Sequence, residues 1–223
     1  MIELLKTYGL YFLVGQFPAG PLGGLALTSL LGVTALVASL PVGVTLALAR
    51  LSRRQWLSWP VTALIYVVRG TPLLMVVFWA YFFLPSIGGP KYGQFLTMLA
   101  ALLVFDGAYV AEIVRAGIQG VPRGQFEAAR SLGLSQLAAM RHVVLPQALR
   151  SMLPSLVNQL VSTLKETSLG YIIGLPELSF IATQVNNQVL VHPIGVYALL
   201  ALAFFLMCFG LSQLAFALDR RIK

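Results

Sequence analysis

EAARSLGLSQLAAMRHVVLP, residues 127–146, is too polar to cross a bilayer, yet long apolar runs flank it on both sides. That contrast describes a helical membrane chain with one large polar loop between spans. Glu127-Ala128-Ala129 opens a short helical pattern, with an acid at the positive end of the helix dipole. Gly133 interrupts the pattern and removes a side chain where a partner backbone would come close. A second short helix fits Ser135 to Val143, and Pro146 is expected to stop it. On these features alone, a plain loop helix and a docking surface are equally good readings.

Working outward, composition fixes the class. Of the 223 residues, 58% are hydrophobic and only 10% charged, with a mean hydropathy of +0.86. Soluble domains keep about a quarter of their residues charged, so this is an integral membrane protein. Long uncharged runs favour an all-α chain over a β-barrel, whose strands show only weak ten-residue alternation. The net charge of +8 would fit nucleic acid, but the bases gather in loops on one side, which a bilayer explains better. No nucleic-acid partner is expected. Cys208 stands alone in an apolar segment, and His142 and His192 lie in separate loops, so neither a disulfide nor a metal site is implied. No phosphate-binding GxxxxGKS or GxxxxGKT string occurs, so any ATP hydrolysis belongs to another chain.

Residues 1–20 hold a moderately apolar stretch, Leu4 to Phe17, without the basic start of a secretory signal, since Glu3 and Lys6 cancel. They are read as an uncleaved segment on the membrane surface, ahead of a transmembrane domain over residues 21–223. About five spans are predicted. The first, Leu22 to Ala49, carries Ala35, Ser39, Gly43 and Ala47 at four-residue spacing, either a small-residue stripe for close helix approach or chance in an Ala-rich helix. Arg50, Arg53 and Arg54 follow, beside the interface anchors Trp56 and Trp59. A second span, Ile65 to Leu84, places Arg69 within snorkelling reach of the boundary, and Pro72 beside Gly70 predicts a kink. The third runs from Gln94 to Arg115, with Asp106 at its middle and a Glu112–Arg115 pair at its end. The fourth, Met152 to Leu175, is unusually polar, holding Asn158, Gln159, Ser162, Thr163, Lys165, Glu166 and Thr167. The fifth, Ile194 to Leu218, has no charge.

The bases give the orientation. Of 15 Lys and Arg residues, Lys6 and Lys91 fall on one side, with the base-free loop Pro176 to Pro193. Lys165 lies inside the fourth span, and the remaining 12 fall on the other side. The positive-inside rule then puts the N-terminus outside, the C-terminus in the cytoplasm, and residues 119–150 in a cytoplasmic loop.

Four strings raise the sequence above this generic picture. Glu127-Ala128-Ala129, with Gly133 six residues on and Leu145-Pro146 at the far end, resembles the EAA loop of bacterial ABC importer permeases. Arg69-Gly70-Thr71-Pro72-Leu73-Leu74 resembles the RGTPLL signature of the polar amino-acid branch of that family, as does AYVAEIVRAGIQ at residues 108–119. Leu164-Lys165-Glu166-Thr167-Ser168-Leu169 is similar to the family's KDTSL string, with Glu in place of Asp. The resemblance covers nearly all of the chain from about Leu25 onward. It implies a type I importer permease in the bacterial cytoplasmic (inner) membrane, passing a polar L-amino acid of the histidine, arginine, glutamine, glutamate or aspartate group. It also implies the partners: two ABC ATPase subunits that bind ATP and Mg, an extracytoplasmic solute-binding protein, and a second permease copy or a similar permease. No cofactor is expected in this chain. Glu127, Ala128, Ala129, Gly133, Leu145 and Pro146 become the ATPase-coupling set.

The substrate pathway is expected at Asn158, Ser162, Lys165, Glu166, Asp106 and Thr28. Lys165 and Glu166 are adjacent, so their side chains project about 100° apart on a helix and cannot simply pair. Each costs on the order of 2.5–3.5 kcal/mol at a bilayer centre, so both need polar partners or water. Either they join a buried network with the third span through Asp106, or their face lines a central cavity. In the cavity, an amino acid would bring its carboxylate to Lys165 and its ammonium to Glu166 or Asp106, and Gly170 would let the helix bend. The rival class is an ATP-independent secondary transporter or channel, in which an intramembrane Lys–acid set moves ions. An intramembrane enzyme is more distant, because no nucleophile–base or metal-ligand spacing occurs.

Overall fold

The structure is a computed structural model, and it describes residues 2–89, 91–189 and 193–222. It is all-α, with no strand among the described residues beyond two isolated bridges. Three helices are long and apolar enough to cross a membrane: α2 (Gly24–Arg50), α5 (Gln94–Gly120) and α10 (Pro193–Ile222). A bent pair, α3 (Gln55–Gly70) and α4 (Leu73–Ser86), makes a fourth if it is counted as one span. The helix predicted as the fourth span is α8 (Leu145–Glu166), whose polar content keeps it out of the apolar set. Length and composition therefore mark three or four spans where five were expected.

The small-residue stripe builds the centre. Ala35, Ser39, Gly43 and Ala47 are all buried, and α2 and α5 form the most extensive helix pair. A Cβ on Gly43 would stand 2.4 Å from Val110 Cγ1 and 3.0 Å from the Ala111 backbone nitrogen, so the close crossing requires glycine there. Towards the N-terminal ends of α2 and α5, Leu27, Leu31, Met98, Leu102 and Phe105 pack with Leu73 and Val77 of α4. Towards their C-terminal ends, Leu36, Val110 and Val114 pack with Ile65 of α3 and Met152 of α8. A third cluster joins α1 (Ile2–Val14) to α9 (Leu178–Val189) and α10 through Leu4, Phe12, Ile181, Val185 and Val196.

Four local expectations are corrected. The second predicted span is broken rather than kinked, because α3 and α4 meet at 99°. Pro72 has no N–H to donate and forces the preceding Thr71 into extended backbone, so one helix ends and another begins. Pro146 does not stop a helix. The chain passes from α7 (Gln136–Ala139) through a π-helical turn, Met140–Val144, straight into α8, and the altered hydrogen-bond spacing of that turn lies directly before Pro146, which has no N–H to donate. Glu127 sits in the middle of α6 (Arg123–Ser131) rather than at its start. The loop from Pro176 onward contains the helix α9, and the polar helix ends at Glu166 in a 3-10 stretch, Thr167–Ile173. Gly170 lies inside that stretch, buried against Leu175. His192 and Lys223 lie outside the described residues.

Candidate functional site

Two regions carry the predicted residues. The first is the loop between α5 and α8. α6 ends in a Schellman turn: Gly133, at φ +85°, donates its N–H to Arg130, and Leu134 donates to Ala129. Glycine is needed for that left-handed backbone, whereas the space around it is open. The turn thus gives Gly133 a reason of its own, beside the expected close approach of a partner backbone. Arg130 locks the turn by donating from Nη1 to the Leu134 carbonyl at 2.6 Å, and the Ser135 hydroxyl caps α7 by accepting the Ala138 N–H at 3.2 Å. Ala129 is buried, while Glu127 and Ala128 are exposed. The turn pushes two large apolar side chains into the open, Leu132 at 84% and Leu137 at 78% exposure. Leu145 and Pro146 are also exposed, on the side of the helix that continues upward. Behind them lies a cleft of about 590 Å³, lined by Phe126, Glu127, Met140 and Val144 with the end of α5. An exposed apolar tip on a short, hydrogen-bonded scaffold is suited to burial in a partner's groove.

The second region lies where α5 and α8 face each other. Asp106 is fully buried; its Oδ1 accepts from Gln159 Nε2 and its Oδ2 from the Thr163 hydroxyl, both at 2.9 Å. Glu166, one turn beyond Thr163, has a buried Oε2 with no hydrogen-bond partner among the described residues. The polar residues of α8 were expected on one broad face and instead divide. Gln159 and Thr163 turn inward to Asp106. Asn158 and Lys165 are exposed and Ser162 half-buried, three positions that share one open side of the helix. The helix therefore carries a buried pair of contacts to Asp106 through Gln159 and Thr163, beside an exposed polar side that includes Lys165. Thr28 is set apart from them. It is fully buried, and its hydroxyl accepts the Leu178 N–H at 3.1 Å, tying α2 to the start of α9.

Sequence reasoning missed Glu177. It is fully buried, and its carboxylate accepts the N–H groups of Ser179 at 2.8 Å and Phe180 at 2.9 Å, capping α9. Burial outweighs those two bonds and pushes its pKa up to about 7. The only hint in the sequence was an acid directly after Pro176 in a loop without bases. At the C-terminal ends of α2 and α5, the expected Glu112–Arg115 pair is present at 2.9 Å, and Arg50 also pairs with Glu112, with Arg69 at 4.0 Å. Arg50 lies over the Tyr66 ring and Arg69 over Tyr109. The two partner arginines come from other helices, which the i,i+3 spacing does not reveal.

The molecule is thus a helical membrane chain with a hydrogen-bonded polar loop that exposes Leu132 and Leu137. The chain belongs to the family of binding-protein-dependent transport system inner membrane components, which it matches over residues 39–223. It is similar to the inner membrane amino-acid ABC transporter permease protein YhdY of Escherichia coli K12, at 35% identity over 97% of this chain and 60% of that protein. It is also similar to the glutamate/glutamine/aspartate/asparagine transport system permease protein BztC of Rhodobacter capsulatus, at 36% identity over 100% of this chain and 52% of that protein. The chain thus spans little more than half the length of these two relatives. It spans 91% of the probable glutamine ABC transporter permease protein GlnP of Bacillus subtilis, at 35% identity over 89% of this chain. Among solved structures, an amino acid ABC transporter determined with histidines superposes with a TM-score of 0.87, at 33% identity over 99% of this chain and 97% of that one. The MetNI methionine ABC transporter, in an inward-facing conformation, follows at a TM-score of 0.66 and 25% identity, over 87% and 92% of the two chains.

Proposed function

We propose that this chain is the permease subunit of an ABC importer that carries a polar L-amino acid inward across the cytoplasmic membrane. The observation that carries the reading is the docking loop, with Leu132 and Leu137 held out beside Glu127 and the Gly133 turn. Separate ATPase subunits dock there and hold ATP with its Mg, so the chain itself needs no cofactor. A solute-binding protein delivers the amino acid from outside, and a second permease copy, identical or similar, completes the pathway. Five spans, with the polar α8 as the fourth, put the N-terminus outside and the C-terminus in the cytoplasm, with residues 1–20 along the membrane surface. Family membership favours this reading over an ATP-independent secondary transporter.

The pathway follows the open side of α8. Lys165, Ser162 and Asn158 meet the substrate's carboxylate and polar groups. Glu166, whose Oε2 has no partner here, takes the ammonium, because both Asp106 oxygens are already occupied. Asp106 then acts as the support that fixes α8 against α5. The test is reconstitution with the cognate ATPase and binding protein, scored by ATPase stimulation across the L-amino acids. Stimulation by one or a few polar amino acids is expected. Uptake that proceeds without the ATPase refutes the reading.

A further inference from the structure

We infer that α3 lies in the plane of the inner leaflet and binds anionic phospholipid through Arg53 and Arg54. The inference rests on the proposed topology, in which the inner ends of α2 and α5 mark the cytoplasmic boundary. Arg50 at the end of α2 and Glu112 near the end of α5 form an ion pair, so they stand at one depth. Arg69, at the end of α3, lies 4.0 Å from the same Glu112. Tyr66, one turn earlier, accepts a hydrogen bond from Arg50 at 3.2 Å. The far end of α3 therefore sits at the same boundary as Arg50, which the chain leaves only a few residues before α3 begins. A helix with both ends near one depth runs along the surface. The 99° bend at Thr71-Pro72 agrees, because it lets α4 leave that surface at nearly a right angle and climb.

The side chains on α3 suit such a position. Ile65 faces the protein core and is fully buried, whereas Trp56 is 70% exposed, Trp59 78% and Val67 66%. Trp56, Ala63 and Val67 follow one another at seven and four residues, an apolar stripe on one side of the helix. Indole rings at the chain's entry to this stripe match the headgroup layer, where one edge meets water and the ring meets acyl chains. A shallow groove of about 300 Å³, lined by Trp59, Thr62, Ala63 and Tyr66, runs along the same helix. At its start, Arg53 and Arg54 are exposed and make no ion pair among the described residues, unlike Arg50, Arg69 and Arg115, which share Glu112. Two unpaired guanidinium groups beside interfacial tryptophans select a phosphate-bearing anionic headgroup over a zwitterionic one.

The full complex of permease and ATPase, in lipid nanodiscs containing phosphatidylglycerol and phosphatidylcholine, provides the test. Nitroxides on Trp56→Cys, Ala63→Cys and Val67→Cys, each in a Cys208→Ala background, are expected to report nearly equal depths and to meet lipid-soluble oxygen. A crossing helix would separate the first and last by about 16 Å, and a helix covered by protein would shield all three; either result overturns the inference. The Arg53→Gln/Arg54→Gln variant is expected to lose roughly 30-fold of the preference for phosphatidylglycerol in lipids that co-purify with the complex, about five-fold for each arginine. An unchanged preference overturns the headgroup site. Cysteine labelling at Ser135 and Asn187 tests the topology separately, so failure of either idea is distinguishable.

Discussion

At the scale of single residues, the division of labour along α8 has direct consequences. Lys165→Ala and Glu166→Ala are expected to assemble with the ATPase yet lose most transport, because Lys165 is exposed on the open side and the buried Glu166 Oε2 has no hydrogen-bond partner among the described residues, so neither side chain holds α8 to Asp106. Wild-type uptake by either variant would remove them from the pathway, and loss of folded protein in both would return them to a purely structural network. Glu177 gives a pH signature outside the spans. Its pKa is raised from 4.5 to about 7, so the folded state holds its proton more tightly than the unfolded chain does. That contribution to stability is complete below pH 4.5 and is lost as the pH rises to about 7, a change on the order of 3 kcal/mol. Wild-type thermal stability in detergent should therefore fall between pH 5 and 7.5, and Glu177→Gln should fall less over the same range. Asp106 was legible as an acid in mid-span. Its partners were not, since they lie 53 and 57 residues away and only the crossing of α5 with α8 brings them together.

At the scale of elements, tight contacts are more telling than apolar length. Replacing Gly43 by leucine forces atoms into space already filled by Val110, and should cost about 1–3 kcal/mol or more, read as a lower yield of folded protein. Ala47→Ser, on the same stripe, provides a milder control. The docking loop answers differently. Gly133→Asp, which strains the left-handed turn and adds charge, and Glu127→Lys should leave the protein inserted while ATPase co-purification drops at least ten-fold. Co-purification at the wild-type level would show that the loop is not the docking site. The small-residue stripe and the Gly133 turn were readable from local spacing. The break at Thr71-Pro72 and the passage of a helix through Pro146 were not, because proline alone does not say whether neighbouring helices turn the chain or carry it on. The helix α9 was also hidden, since its N-terminal cap is Glu177 and not one of the short polar residues that usually announce a helix start.

At the scale of the whole molecule, charge and hydropathy described a bundle whose order the structure supports, but not the number of spans. α8 is too polar to pass as a span by composition, and Asp106 of α5 supplies its Gln159 and Thr163 with the acceptor that lipid cannot. The expected orientation can be checked directly. In a Cys208→Ala background, a cysteine at Ser135 should be shielded from an impermeant thiol reagent in intact cells, and one at Asn187 should be labelled. Equal labelling of both would break the five-span arrangement.

The uninterrupted run from Gln136 to Glu166 carries a mechanical implication. It is helical throughout, so the tip of the docking loop and the Lys165–Glu166 pair are two ends of one rod, about 46 Å long at 1.5 Å per residue. To the extent that the π-helical turn and Pro154 stay stiff, such a rod behaves as a lever. The Asp106 contacts to Gln159 and Thr163 lie close to its upper end and can act as the fulcrum. A sideways push at the loop tip would then arrive at Glu166 reduced in amplitude and reversed in direction. If ATPase subunits dock at that tip as proposed, a large stroke there would become a small, opposed displacement at the charged pair.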